Sequence, residues 1–280
     1  MLSLLNFDGW RVSMPQMFGL LHILVLCVIV AGIVLICIFM RNTSDRTMRI
    51  ILFSAGSVML VLEILRQVYN FLTAPFFWQW FPFQLCSVVM YFYLALGFMK
   101  KKTWFKEAFL LFIASYGLFG GLLTMAVPSF VWTTYAGFIV LQTTVHHVLM
   151  IWVAVYLIVG GKINLKRLNF DFLTKAFSIF AASAAIALLI NSIVMWSGGP
   201  TNPYDAINMF FLNPFVNPAH GIPLFGDWNL HFMLWSLIFI VGYSVLCFGA
   251  LWAVRGSQLL ASKIKKKKHQ NSYLSKSDNT

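Results

Sequence analysis

The chain has 280 residues, 60% of them hydrophobic and 17% aromatic against 10% charged, with a formal net charge of +12. Ordinary globular chains are ~45–50% apolar, and a core of this size cannot hide the surplus from water, whereas a bilayer absorbs it once helices close their own backbone hydrogen bonds. A water-soluble fold is excluded, and the expected class is an all-α polytopic membrane protein; the basic residues punctuate apolar segments instead of forming one basic and aromatic face, which speaks against nucleic acid as a partner.

About 20 apolar residues cross a hydrocarbon core, and on that ruler seven transmembrane helices are predicted, at about 17–40, 50–72, 81–99, 108–127, 135–159, 174–196 and 231–254. Together they make one domain over 1–257. The first span is too long for a signal-peptide core and is preceded only by Asp8 and Arg11, so the N-terminus is expected to stay attached. Cytoplasmic loops carry the excess of Lys and Arg. Arg41, Arg46 and Arg49, then Lys100, Lys101, Lys102 and Lys106, then Lys162, Lys166, Arg167 and Lys175, and finally the tail place 18 of the 20 basic residues on one side. An N-terminus outside and a C-terminus in the cytoplasm follow. The tail, 258–280, has the composition of a disordered segment and is expected to lie on anionic lipid headgroups. No repeat divides the chain into halves. The four cysteines, Cys27, Cys37, Cys86 and Cys247, sit within apolar runs and without C-x-x-C spacing, so neither a disulfide framework nor a zinc knuckle is expected.

Ionisable groups inside spans are costly and point to function. Counted from the basic residue that anchors each span, Glu63 lies 14 residues from Arg49, Cys86 14 from Lys100, His147 15 from Lys162 and Asn191 16 from Lys175. At 1.5 Å per residue, roughly 21 to 24 Å of helix lies below each, which is the outer half of the core. Within the second span Glu63, Arg66, Gln67 and Asn70 share one helical stripe, which is either an internal ion pair locking helices together or one wall of a polar cavity. The third span opens with Phe81-Pro82-Phe83-Gln84-Leu85-Cys86-Ser87, a proline start followed by polar groups. Cys86 is level with the polar layer, where a neighbouring base could supply the thiolate that nucleophilic catalysis needs; the other cysteines read as small inert hydrophobes. In the fifth span His146 shares a stripe with Gln142, and His147 with Thr143 and Thr144. Periodicity does not choose between the two histidines. The outer segment 197–230, which contains Asn208, is long for a connector and has the character of a lid or re-entrant element.

The Gln84-Leu85-Cys86-Ser87 start, the histidine before Val148-Leu149-Met150 and the stretch from Asn208 to Pro214 together resemble the YwaF-like bacterial membrane proteins and their eukaryotic relative, transmembrane protein 164. The resemblance covers almost all of the spans. It departs from the family pattern at Met209 and Phe210, where Tyr-Met is expected, and at Asp227, where Pro is expected. The eukaryotic relative is a cysteine-dependent acyltransferase of membrane phospholipids, so the resemblance implies Cys86 as nucleophile, His147 as its base, membrane lipids as partners, and no metal or organic cofactor.

Two other classes compete. A proton-coupled transporter would use Glu63, Arg66 and a histidine but no thiol, and a structural or sensor protein would use the buried polar groups only for helix pairing. A retinal protein is excluded because 231–254 has no lysine, and zinc held by Glu63, Cys86 and a histidine is a minor alternative. For the leading reading, Gln84, Ser87 or Asn191 are the candidate oxyanion donors. Composition suggests a bacterial plasma membrane.

Overall fold

A computed structural model describes residues 17–73, 81–128, 132, 137–165, 168–201, 206–215 and 232–277. Asp8, Arg11, Lys166, Arg167 and Asp227 lie outside the described residues, as does most of the outer segment. Among the described residues there are seven α-helices and no strand: α1 Leu20–Phe39, α2 Asp45–Thr73, α3 Leu85–Phe98, α4 Trp104–Ala126, α5 Gly137–Val159, α6 Phe170–Trp196 and α7 Phe232–Ser277. Six are long and apolar enough to cross a membrane, while α3, with 14 residues, is shorter. Its length of ~21 Å falls short of a ~30 Å core. The predicted span began at 81, but Pro82 pushes its predecessor out of the helical region and residues 81–84 are not helical.

Three helices start earlier than hydropathy suggests, because their first turns are polar. Ser44 accepts from the Thr47 amide at 3.0 Å ahead of α2, Thr103 from Lys106 at 3.1 Å ahead of α4, and Asn169 from Phe172 at 3.0 Å ahead of α6. Each cap satisfies an orphan donor, and each is followed by a first-turn acid, Asp45, Glu107 or Asp171, that complements the helix dipole.

All three starts meet at one end of the bundle. Lys106 pairs with Asp45 at 2.9 Å, and Lys175 with Glu107 at 3.0 Å and Asp171 at 2.8 Å. Lys162 donates to the Thr43 carbonyl, and Arg255 to that of Leu168 at 3.2 Å. The four basic segments therefore share one end, as loops that face one compartment must. At the other end His22 accepts from the Phe18 amide at 2.9 Å and donates to the Met125 carbonyl at 2.8 Å, joining the start of α1 to the end of α4.

Helices α4 and α5 form the centre, and α1, α2, α6 and α7 turn rows of exposed Leu, Val and Ile outward. In α4 a π-bulge at Ile113–Gly117 puts Tyr116 against Phe180 of α6, stacked at 4.4 Å, with its hydroxyl 2.7 Å from Ser244 of α7. At Gly121 a Cβ would stand 2.9 Å from Ile151 and 3.1 Å from the His147 carbonyl. Only glycine lets α4 come so close to the histidine turn of α5.

The last helix continues to Ser277, through the segment for which composition predicts disorder. After Gly256 that segment contains neither Gly nor Pro, and adding residues to an existing helix is far cheaper than nucleating one.

Candidate functional site

Helices α2 and α3 run antiparallel in a tight register. A Cβ at Gly97 would touch Phe53, and one at Gly56 would touch Leu94; carried outward, that register sets Glu63 beside Ser87 and Cys86. From α5, Gln142 donates to Glu63 Oε2 at 3.1 Å, and one turn further on His146 lies 3.1 Å from the Cys86 carbonyl. Three helices thus bring Glu63, Cys86, Ser87, Gln142 and His146 into one layer.

The Glu63 carboxylate is 3% exposed and both its oxygens are engaged. Arg66 donates to Oε1 at 2.8 Å and Gln67 to the same oxygen at 2.7 Å, opposite the Gln142 bond. Gln142 in turn accepts from Thr143 at 3.2 Å. A buried ion needs a counter-ion and hydrogen bonds on its remaining lone pairs, and this one has both. Glu63 and Arg66 also lie close enough to act electrostatically on the Cys86 thiol.

Cys86 is half-buried and is the second residue of α3, with Gln84 at the N-cap in extended conformation. Ser87, the next residue of the turn, is buried at 3% exposure. A helix N-terminus presents free amides and the positive end of the dipole, which favours a thiolate or an oxyanion. The sequence placed Pro82 at the head of the helix; the later start at Leu85 is what moves Cys86 into the first turn.

The two histidines differ in their hydrogen bonds. A carbonyl only accepts, so His146 Nε2–H donates to Cys86 and its lone pair sits on Nδ1, which is buried with no partner. His147 Nδ1–H donates to the Thr143 carbonyl at 2.8 Å, one turn back on its own helix, so its lone pair sits on Nε2. Both rings are 3% exposed, and their centroids are 5.9 Å apart.

Asn191 enters this arrangement indirectly. Its amide clasps Met209, donating to the carbonyl and accepting from the N–H, both at 3.0 Å. The next amide, Phe210 N–H, donates to Gln84 Oε1 at 3.3 Å, and the Phe210 ring packs toward Phe83 and Phe180. Residues 206–215 are thus a segment buried against the bundle: Ala206, Ile207, Met209, Phe210, Leu212 and Asn213 are at most 2% exposed. Phe210 and Phe211 hold left-handed φ of 55°, which is strained for side chains of this size. Asn191, Gln84, and Trp235, which donates to the Phe211 carbonyl at 2.8 Å, hold the turn in place. Asn208 accepts from the Asn213 amide at 3.3 Å and shapes the element from within.

The sequence model of the TMEM164 family matches residues 17–247. The chain belongs to the TMEM164 family. No curated protein and no solved structure matches it.

The matched stretch of this TMEM164-family chain contains every residue of the layer and the buried segment 206–215. Sequence reasoning missed Asn213, Trp235 and Gly121. Asn213 stood within the Asn208-to-Pro214 motif and was legible there, whereas Trp235 and Gly121 have no local signature, since each matters through a contact with a distant segment. Among the described residues no three His, Cys, Asp or Glu side chains form a group suited to a metal ion.

Proposed function

We propose that this TMEM164-family protein crosses the plasma membrane seven times with its N-terminus outside, and transfers or hydrolyses lipid acyl chains in the outer half of the bilayer. α3, with the bent residues 81–84 before it, is the shortest crossing. The observation that carries the reading is Cys86 in the first turn of α3, beside Ser87 and with a histidine on its own carbonyl.

In this mechanism the Cys86 sulfur attacks an ester carbonyl of a membrane lipid, and a C–S bond forms while the thiol proton passes to the imidazole of His147. The family resemblance gives His147 as the base, and the Thr143 carbonyl fixes its Nδ1–H so that Nε2 carries the lone pair. The tetrahedral oxyanion is held by first-turn donors of α3, with Ser87 and the Gln84 amide nearest in sequence. On collapse the C–O bond breaks, and the leaving alkoxide takes the proton back. A hydroxyl of a second lipid, or water, then attacks the thioester and frees the thiol. His146 is a positioning residue that holds the Cys86 main chain against α5.

The network around Glu63 favours this over a proton-coupled transporter, because Arg66, Gln67 and Gln142 tie the carboxylate into a fixed structural ion pair. The test is lipid analysis of membranes carrying the wild type or Cys86→Ser. A change in acyl composition that vanishes with the serine supports acyl transfer, and activity that survives in the serine variant rejects Cys86 as nucleophile.

A further inference from the structure

Between the outer half of α2 and the start of α3 lies a groove with a volume of about 480 Å³, within the ~300–1,000 Å³ range of small-molecule sites. Ile64, Val68 and Phe71 form one wall, and Pro82, Met90 and Tyr91 the other. From Leu60 to Leu72 it follows α2 for ~18 Å. Its rim faces where lipid lies: Ile64 is 52% exposed, Val68 41% and Phe71 82%. Tyr91 closes the α3 side by donating to the Pro82 carbonyl at 2.8 Å.

The groove does not end in apolar side chains. Glu63 and Gln67 line it as well, and Glu63 belongs equally to the layer around Cys86. Met90, also on the wall, is one turn from Cys86 on the same stripe of α3. Further along the α2 stripe, two turns from Glu63, Asn70 is fully buried and both its amide atoms lack a partner, as does Nδ1 of His146. Buried amides are nearly always satisfied, so hydrogen-bonding capacity with no protein partner points to a polar group from elsewhere.

We infer that this groove seats one acyl chain of a membrane lipid, admitted sideways between α2 and α3, with the polar end turned inward past Glu63 toward Cys86. The seat itself stands on the groove, and only its alignment with Cys86 rests on the acyl-transfer reading. Ile64 and Val68 set how much of the chain fits; of the unpartnered atoms, Asn70 Nδ2 donates to an ester oxygen, while Asn70 Oδ1 and His146 Nδ1 accept from a lipid hydroxyl.

The experiment reconstitutes the full chain in phosphatidylcholine vesicles containing a phosphatidylcholine with a diazirine in its acyl chain. After illumination, labelled peptides are mapped by mass spectrometry. Labelling is expected to concentrate on 60–72 and 82–91, several-fold above the equally apolar outer face of α1. The double variant Ile64→Trp/Val68→Trp, which alters only lipid-facing side chains, is expected to lose that labelling while α1 labelling stays constant. Groove labelling no higher than that of α1, or unmoved by the tryptophans, overturns the inference. Cys86→Ser separates the two claims. Groove labelling retained in a protein with no Cys86-dependent lipid chemistry leaves the seat and removes acyl transfer. Cys86-dependent chemistry with no preference for the groove does the reverse.

Discussion

Replacing Glu63 by glutamine keeps the shape of the side chain and removes its charge. In the native protein that charge accepts from Arg66 at 2.8 Å, Gln67 at 2.7 Å and Gln142 at 3.1 Å, with the Glu63 and Arg66 side chains 4% and 14% exposed. Two consequences follow in the variant. The Arg66 guanidinium loses its counter-ion in a low-dielectric setting, and the new amide NH₂ faces donors where an acceptor stood. Removing one member of a buried pair costs about 3–5 kcal/mol. Arg66→Gln leaves the carboxylate without its cation and falls in the same range, whereas the double variant leaves only neutral amides that can hydrogen-bond to one another. Its cost is therefore expected to be well below the sum of the singles, with a coupling of at least ~2 kcal/mol, inside the range seen for residues of one network. The assay is reversible unfolding of purified protein in detergent micelles for the wild type, both singles and the double. Strictly additive effects, with each single below ~1 kcal/mol, would match an exposed pair and refute the closed network.

Three further outcomes are expected. Cys86 should react with a membrane-permeant lipid-like electrophile faster than Cys27, Cys37 or Cys247; His147→Ala should abolish the difference, and His146→Ala should weaken it in a way that His146→Gln, which keeps an Nε2 donor for the Cys86 carbonyl, restores. Site-resolved mass spectrometry checks this, and equal labelling of all four thiols removes the nucleophile. Asn191→Ala should destabilise by about 2–4 kcal/mol, since it strands a buried N–H and a buried carbonyl of Met209, and it should slow Cys86 labelling by releasing Gln84; a stable variant with unchanged labelling uncouples the segment 206–215 from the site. A reporter fused after Lys276 should be active only in the cytoplasm and one near Thr201 only outside, and the opposite pattern reverses the proposed orientation.

Much of this fold was legible in the sequence because transfer into a bilayer depends mainly on each segment's own composition. The apolar runs located the seven helices seen among the described residues, and the alternation of basic loops gathered Arg46, Lys106, Lys162 and Lys175 at one end before any contact was known. Helix starts were displaced by about four residues wherever a polar capped turn preceded the apolar run, as at Ser44, Thr103 and Asn169, because hydropathy registers the lipid-facing stretch and not the helix. Proline had the opposite effect at α3, where the helix begins four residues after the apolar run does.

Depth along a helix can be counted from the sequence, and the count brought Glu63 and Cys86 to one level. Rotation about the helix axis and the choice of neighbours cannot be counted in this way. Adjacent residues diverge by ~100°, so His146 and His147 are equivalent to any periodicity, and the packing of α5 against α3 decided that His146 holds the Cys86 carbonyl while His147 turns back to Thr143. Packing also decided that Asn191 acts through Met209, because the route from α6 to α3 passes through residues 206–215, whose burial depends on the bundle that receives them. The sequence by itself determined which segments form apolar helices and how the polar groups are spaced along them. The tertiary structure decided which of those groups meet, since contacts between helices depend on the side-chain shapes of both partners and on close approaches such as that at Gly121.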